Sequence, residues 1–293
     1  MIAREKVLVA GGNGQLGKCL QKIAPQFEDR FEFFFTDSSE MDITDADNVS
    51  DVFNEIQPQY CINASAYTAV DLAEKEPEKA FAVNAEGVGN LAEACAEVKA
   101  VFIHVSTDYV FDGDTNLSYS EDDFTNPLGV YGGSKLKGEE LAIEKCPRTI
   151  ILRTSWLYSE FNKNFVKTML NLFQTKPELG VVNDQFGQPT NANDLAEAIM
   201  EIILQPSKRY GVFHFSNYPE ATWFEFAAKI AEISKSPVKI NPITTDQFPT
   251  PAKRPHRSTM CLDKIESEYG IEPKNWQNSL EECLETLKMS TDD

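Results

Sequence analysis

Along the first half of the chain, short runs of nearly unbroken apolar residues alternate with longer stretches whose apolar positions recur at helical spacing. VLVAGG (7–12), FEFFFTD (31–37), YCINASA (60–66), VFIHVSTD (101–108) and TIILRTSW (149–156) are of the first kind. A strand covered on both faces carries apolar side chains at consecutive positions, so these runs predict buried strands of a parallel sheet. PEKAFAVNAEGVGNLAEACAEV (77–98) is of the second kind, with Phe81, Ala85, Val88, Leu91 and Cys95 along one face. The repeated order of strand and helix predicts an α/β fold: a Rossmann-type, doubly wound parallel sheet.

The rhythm changes after about residue 156. Later strand-like runs, LGVVND (179–184) and GVFHFSN (211–217), are fewer, and a proline-rich loop, NPITTDQFPTPAKRP, fills 241–255. This pattern predicts a dinucleotide-binding domain over 1–156. A smaller α/β substrate domain occupies mainly 157–293, and segments of about 179–217 return to the first sheet. Ligands of such sheets sit beyond the carboxyl ends of the strands. The polar residues that end the runs, Asp37, Asn63, Ser106, Thr107, Asp108, Arg153 and Thr154, are therefore expected to face the site.

Composition narrows the class of function. The chain has 293 residues, 42% hydrophobic and 25% charged, the balance of an ordinary globule. Its formal net charge of -19 argues against nucleic acid and anionic membranes as partners, since both want basic surface. The first apolar run is too short for a signal-peptide core, and no run is long enough to span a bilayer. Six scattered cysteines show no metal-ligand spacing, as expected of small buried hydrophobes in a reducing, cytoplasmic setting.

The first strand runs into GGNGQLGK, where Gly11, Gly14 and Gly17 form GxxGxxG ahead of a helical stretch. Glycines there permit a tight turn and close approach to a pyrophosphate, while the helix N-terminus offers unpaired N–H groups. About twenty residues on, Asp37 ends the second run, where an acid bonds a ribose hydroxyl. Ser38 and Ser39 follow it and no arginine adjoins it, so NADPH or NADH is expected as cofactor. The second candidate is YGGSK, Tyr131 to Lys135. Ketone reduction needs a hydride and a proton, and a lysine one helical turn from a tyrosine stabilises its anion and lowers its pKa. Thr107, at the end of the fourth run, offers a hydroxyl for the substrate oxygen.

Together GGNGQLG, NASAYTAVDLAE, VNAEGVGNLA, STDYVFDG, YGGSKLKGE and RTSWLY resemble the extended short-chain dehydrogenase/reductases, and within them the dTDP-4-dehydrorhamnose reductase family. The resemblance covers about residues 7–195, with a weaker match at RPHRS. It implies reduction of the C4 keto group of a dTDP-sugar. Tyr131 then donates the proton, Lys135 binds the cofactor ribose and tunes Tyr131, and Thr107 orients the substrate oxygen. Gly14, Gln15 and Leu16 line the pyrophosphate, Asp37, Asp42 and Ile43 the adenosine end, and Ser65, Ala66 and Tyr67 the nicotinamide side. Asp108 and Trp156 contact the sugar nucleotide, Gln185 and Pro189 shape the wall of its pocket, and Asn164 and Phe165 start the helix that covers it. The basic cluster Lys253, Arg254, His256 and Arg257 lies near the diphosphate, with Arg254 as its ligand; Arg257 departs from the small polar residue expected at its position.

Plainer roles stand beside these. Asp42 or Thr44 suits a helix N-cap, Trp156 suits core packing, Asn84 suits helix packing, and Asp71 and Glu74 suit a solvated face. Some bacterial members hold magnesium between subunits with acidic residues; the matching positions here are Cys19 and Asn193, poor ligands for a hard cation. No bound metal is expected, and the chain is expected to be a monomer or a homodimer not bridged by magnesium. A nucleotide-sugar epimerase or dehydratase, and a non-catalytic regulatory subunit resembling that of methionine adenosyltransferase, are the alternatives.

Overall fold

The computed structural model describes residues 4–289. Strand β1 (Glu5–Ala10) leads through the glycine loop into α1 (Gln15–Ile23), then β2 (Phe31–Thr36), α2 (Ala46–Ile56) and β3 (Tyr60–Asn63). Short helices α3 (Val70–Ala73) and α4 (Pro77–Phe81) precede α5 (Gly87–Val98), β4 (Val101–Thr107), α6 (Val130–Lys145) and β5 (Thr149–Thr154). Five of the predicted runs are thus the first five strands. They lie in one six-stranded sheet, and every pairing in it is parallel. The order, from one edge, is β2, β1, β3, β4, β5 and a later strand, Gly211–His214. The order reverses between β1 and β3, so the crevice above these two strands is where a ligand of a doubly wound sheet belongs.

The second part of the chain adds β6 (Leu157–Tyr158), α7 (Phe165–Thr175), β7 (Glu178–Val182), β8 (Phe186–Gly187), β9 (Thr190–Asn191), α8 (Ala192–Leu204) and β10 (Gly211–His214). It ends with β11 (Ala221–Thr222), α9 (Trp223–Ile233), β12 (Lys239–Ile243), α10 (Asp263–Tyr269) and α11 (Trp276–Met289). Of the 179–217 segment expected in the first sheet, α8 and β10 are there and β7 is not. β7 pairs in parallel with β12 in a separate two-stranded sheet, because its inner residues pack on α7 and α9.

Three packed layers account for most buried apolar surface, the dominant favourable term in folding. One face of the large sheet packs on α1, α8 and α10 through Leu16, Leu20, Leu195, Ile199 and Ile265. The other packs on α2, α5 and α6 through Phe53, Leu91 and Ala142. A third cluster joins α7, α9 and α11 around Phe226, Ile230 and Leu280. Cys19 lies in the first cluster, Cys61, Cys95 and Cys146 in the second and Cys283 in the third; Cys261 is half-buried. Among the described residues, no helix is long and apolar enough to cross a membrane.

Two local expectations change. The N-cap of α2 is Asp45, whose carboxylate accepts from the amides of Asp47 and Asn48. Asp42 is unavailable because its Oδ1 accepts from the Thr44 amide and hydroxyl. The helical stretch 77–98 is interrupted by a π-turn over Ala82–Glu86. Its centre is Asn84, fully buried, which accepts from the Tyr67 amide and donates to the Tyr67 carbonyl and the Ser134 hydroxyl. The widened turn carries a side chain that ties the loop after β3 to α6.

Candidate active site

The turn after β1 is built by close backbone approach. A Cβ on Gly17 would lie 2.3 Å from the Gly11 carbonyl oxygen and 2.5 Å from that of Gly12, and Gly11 itself has φ +83°. Only glycine fits these two positions. The loop is strapped from the second part of the chain: the Asn164 amide and the Ser159 hydroxyl both donate to Gln15 Oε1, at 3.0 and 3.1 Å. Asn162 donates to the Asn13 carbonyl at 2.8 Å.

Beside this loop opens a cleft of about 470 Å³. Gly14, Gln15 and Leu16 form one wall, Ser65 and Ala66 another, and Tyr131, Lys135 and Trp156 the far side. These eight predicted residues share the cavity with Ser106, Thr154 and Asn164, also expected at the site. Tyr67 turns away, its hydroxyl donating to Glu76 at 2.9 Å. Asp37 sits at the end of β2, where Oδ2 accepts from Asn13 at 2.6 Å and Oδ1 from the Ser39 amide and hydroxyl. The Ser39 bonds hold its carboxyl below the usual range. Asp42 and Ile43 do not line the cleft, and Ile43 is buried against Gly87. Of the strand-end residues, Ser106 and Thr154 line the cleft; Arg153 instead turns beneath α6 to pair with buried Glu139.

The chemistry gathers on α6. Burial pushes the Tyr131 phenol up to about 12, with the neighbouring Thr107 hydroxyl offsetting part of the effect. The lowered pKa expected for Tyr131 is not present, because burial outweighs the groups that would lower it; Lys135 Nζ donates one of its protons to the Val105 carbonyl at 2.7 Å. Burial pushes Lys135 down to about 8. Thr107 donates to Asp108 Oδ1 at 3.0 Å, and the buried Asp108 carboxyl is pushed up to about 6 by desolvation.

A second cavity, about 540 Å³, opens between α7, β7 and the 248–254 loop, lined by Phe165, Val182, Gln185, Trp223, Phe248 and Arg254 among others. Trp156 and Trp223 stack between the two cavities with ring centroids 3.6 Å apart, so Trp156 both packs and faces the cleft. Arg254 makes a two-point pair with Asp71, at 3.1 and 2.9 Å. Glu74 accepts from the Val130 amide at the N-terminus of α6 at 2.8 Å. Neither acid is merely solvated; their partners lie far along the chain, where local pattern carries no signal. Arg257 is paired with Glu220 and lies over the Phe186 ring at 4.6 Å, which makes it a clamp on the loop.

The residues fit a dinucleotide: the close-packed glycine turn presents Gly14, Gln15 and Leu16 at the start of α1 to the cleft, and the buried Ser106 and Thr154 hydroxyls there have no hydrogen-bond partner among the described residues. Fold and site define a nucleotide-dependent oxidoreductase with a tyrosine–lysine pair. Residues 5–289 match the family model of the RmlD substrate binding domain, and the chain belongs to that family. It is 42% identical to the dTDP-4-dehydrorhamnose reductase of Aggregatibacter actinomycetemcomitans, over 94% of this chain and 97% of that protein. The solved dTDP-4-dehydrorhamnose reductase of Clostridium acetobutylicum superposes with a TM-score of 0.92 at 41% identity, covering 97% of this chain and 99% of that one. The Bacillus anthracis enzyme, solved in complex with NADP, also gives 0.92, at 38% identity over 96% and 99%.

Proposed function

We propose that this chain reduces the C4 keto group of dTDP-4-dehydro-L-rhamnose, using NADPH or NADH, to give dTDP-L-rhamnose. The observation that carries the reading is the Tyr131 phenol beside Lys135 on the wall of the cleft that the glycine loop closes. When bound, the nicotinamide supplies the hydride. The rest falls to this chain. The backbone around Gly11, Gly14, Gln15, Leu16 and Gly17 holds the pyrophosphate, and Asp37 the adenosine ribose. Ser65 and Ala66 flank the nicotinamide. Lys135 holds the second ribose and supplies positive charge near the phenol. Tyr131 gives its proton to the C4 oxygen as that oxygen gains charge, and Thr107 fixes the oxygen by a hydrogen bond. Asp108, Trp156 and Arg254 bound the sugar nucleotide, and Arg254 exchanges Asp71 for a diphosphate oxygen.

On this reading residues 1–156, with α8 and β10, form the cofactor unit, and the remainder of 157–293 the sugar-nucleotide unit. The protein works in the cytoplasm without nucleic-acid or membrane partners. It is a monomer or a homodimer without bridging magnesium: Cys19 is buried, and the Asn193 amide donates to Glu160 at 2.8 Å.

The test follows loss of the near-ultraviolet absorbance of NADH and NADPH in parallel, with and without the keto-sugar. Sugar-dependent oxidation is expected. Tyr131→Phe should lose about 10²–10⁴-fold in turnover while keeping its cofactor affinity. Full turnover by that variant removes Tyr131 from the mechanism.

A further inference from the structure

Lys135 and His104 are both buried, and their side-chain nitrogens lie 3.4 Å apart. The proton arrangement between them follows from a third residue. Asn63 Oδ1 accepts from the Ser65 amide at 2.9 Å, which fixes the orientation of the Asn63 carboxamide, since a flipped amide would set N–H against N–H. Its Nδ2 therefore presents an N–H to His104 Nδ1 at 3.1 Å. Nδ1 must accept, so the neutral imidazole carries its proton on Nε2, the nitrogen that faces Lys135 Nζ.

An ammonium group has only N–H to offer, so an Nε2–H aimed at Nζ is a donor facing a donor. A neutral amine would instead accept from it. Protonation of His104 would only add a second donor, on Nδ1 facing Asn63, and burial together with the Lys135 charge holds its pKa well below the ordinary range. The other groups around Nζ are few. The Val105 carbonyl accepts from it; Glu139, one turn on, supports the ammonium but is itself paired with Arg153; Tyr131 lies one turn before it, and Asp108 acts on Tyr131. Among the described residues, no carboxylate lies within ion-pair distance of Nζ.

We propose that His104 is a positioning residue for Lys135: its Nε2–H, fixed by Asn63, opposes the ammonium form and so sets the pH at which Lys135 gives up its proton. This rests on the assignment of Lys135 to the reaction above. The charge that steadies the Tyr131 anion is then present at neutral pH and lost in the mildly alkaline range, and His104 sets where the alkaline limb of turnover falls.

Two measurements test it. Nitrogen NMR of the histidine rings in the unmodified protein should show His104 as the neutral Nε2–H tautomer throughout the neutral range. An Nδ1–H tautomer, or an imidazolium forming there, overturns the proposal whether or not the protein turns over. The second compares pH profiles of kcat. His104→Gln puts a carboxamide where Nε2 was, free to turn its oxygen toward the ammonium, and should move the alkaline limb upward. His104→Asn is too short to present a donor to Nζ, and should move the limb upward by about one pH unit, a tenfold change in the Lys135 proton equilibrium. Limbs that coincide in all three proteins overturn the proposal. If the unmodified protein does not oxidise cofactor with the keto-sugar, the proposed function fails, and the tautomer result alone decides this inference.

Discussion

Glu139→Ala should cost this protein a large part of its stability, and the structure sets the size of the loss. Glu139 and Arg153 are both buried beneath α6 and share three hydrogen bonds, at 3.0, 3.2 and 2.7 Å. Among the described residues Arg153 has no other carboxylate at ion-pair distance and its Nη1 has no hydrogen-bond partner, while its guanidinium lies over the Phe111 ring at 5.1 Å. Removing Glu139 therefore leaves a buried cation with no ion-pair partner and only the more distant Glu121 to oppose its charge. Breaking such a pair costs about 3–5 kcal/mol. Unfolding entropy of about 2.1 cal/mol/K per residue gives roughly 0.6 kcal/mol/K for a chain of this length, so the melting temperature should fall by roughly 5–8 °C. Far-ultraviolet circular dichroism during a thermal ramp measures it. The paired change Glu139→Leu/Arg153→Met removes both charges and should recover most of the loss, because the cost lies in the stranded charge and not in a missing attraction. A single variant melting within about 2 °C of the parent, or a double variant as unstable as the single one, refutes the reasoning.

Two further outcomes follow from the site. Gly17→Ala should abolish measurable cofactor binding in a calorimetric titration, since the new methyl meets two backbone carbonyl oxygens that cannot move without opening the turn; an affinity within a few-fold of the parent contradicts the close-packed loop. Asp108 gives a pH dependence of stability. Its folded pKa is about 6 and its ordinary value 3.8, so between these the folded state holds the extra proton and stability falls as pH rises. Above that window the buried carboxylate costs about 3 kcal/mol. Asp108→Asn should therefore resist urea better than the parent at mildly alkaline pH and no better in acid. An equal gain at both pH values contradicts the assignment.

The large sheet was legible because its strands are covered on both faces and so appear as unbroken apolar runs. The glycine turn and the Tyr131/Lys135 pair were legible because their chemistry lies within a few residues. What the sequence hid is long-range. Asp71 meets Arg254 across 183 positions, and no local pattern announces the pair. His104 sits inside an apolar run, where it reads as one more buried residue. The short run 179–184 reads like a strand of the first sheet, and only its neighbours decide that it pairs with β12. The direction of the Tyr131 shift depends on how deeply the fold buries the phenol, and a spacing of four does not specify that. Arg153 ends its strand as the polar residues of the site do, yet points away because Glu139 is waiting under the helix.

The placement of the thiols has a consequence for how the molecule comes apart. Each of the three packed layers encloses at least one free cysteine, and only Cys261 is partly exposed. A thiol shut inside a layer reacts with an alkylating reagent only while that layer is open. Cys19 and Cys283 thus time the opening of the outer helical layer and of the second unit, and Cys61, Cys95 and Cys146 that of the opposite face of the sheet. The chain carries native clocks on its own interior, and the order in which they start running is the order in which its layers come apart.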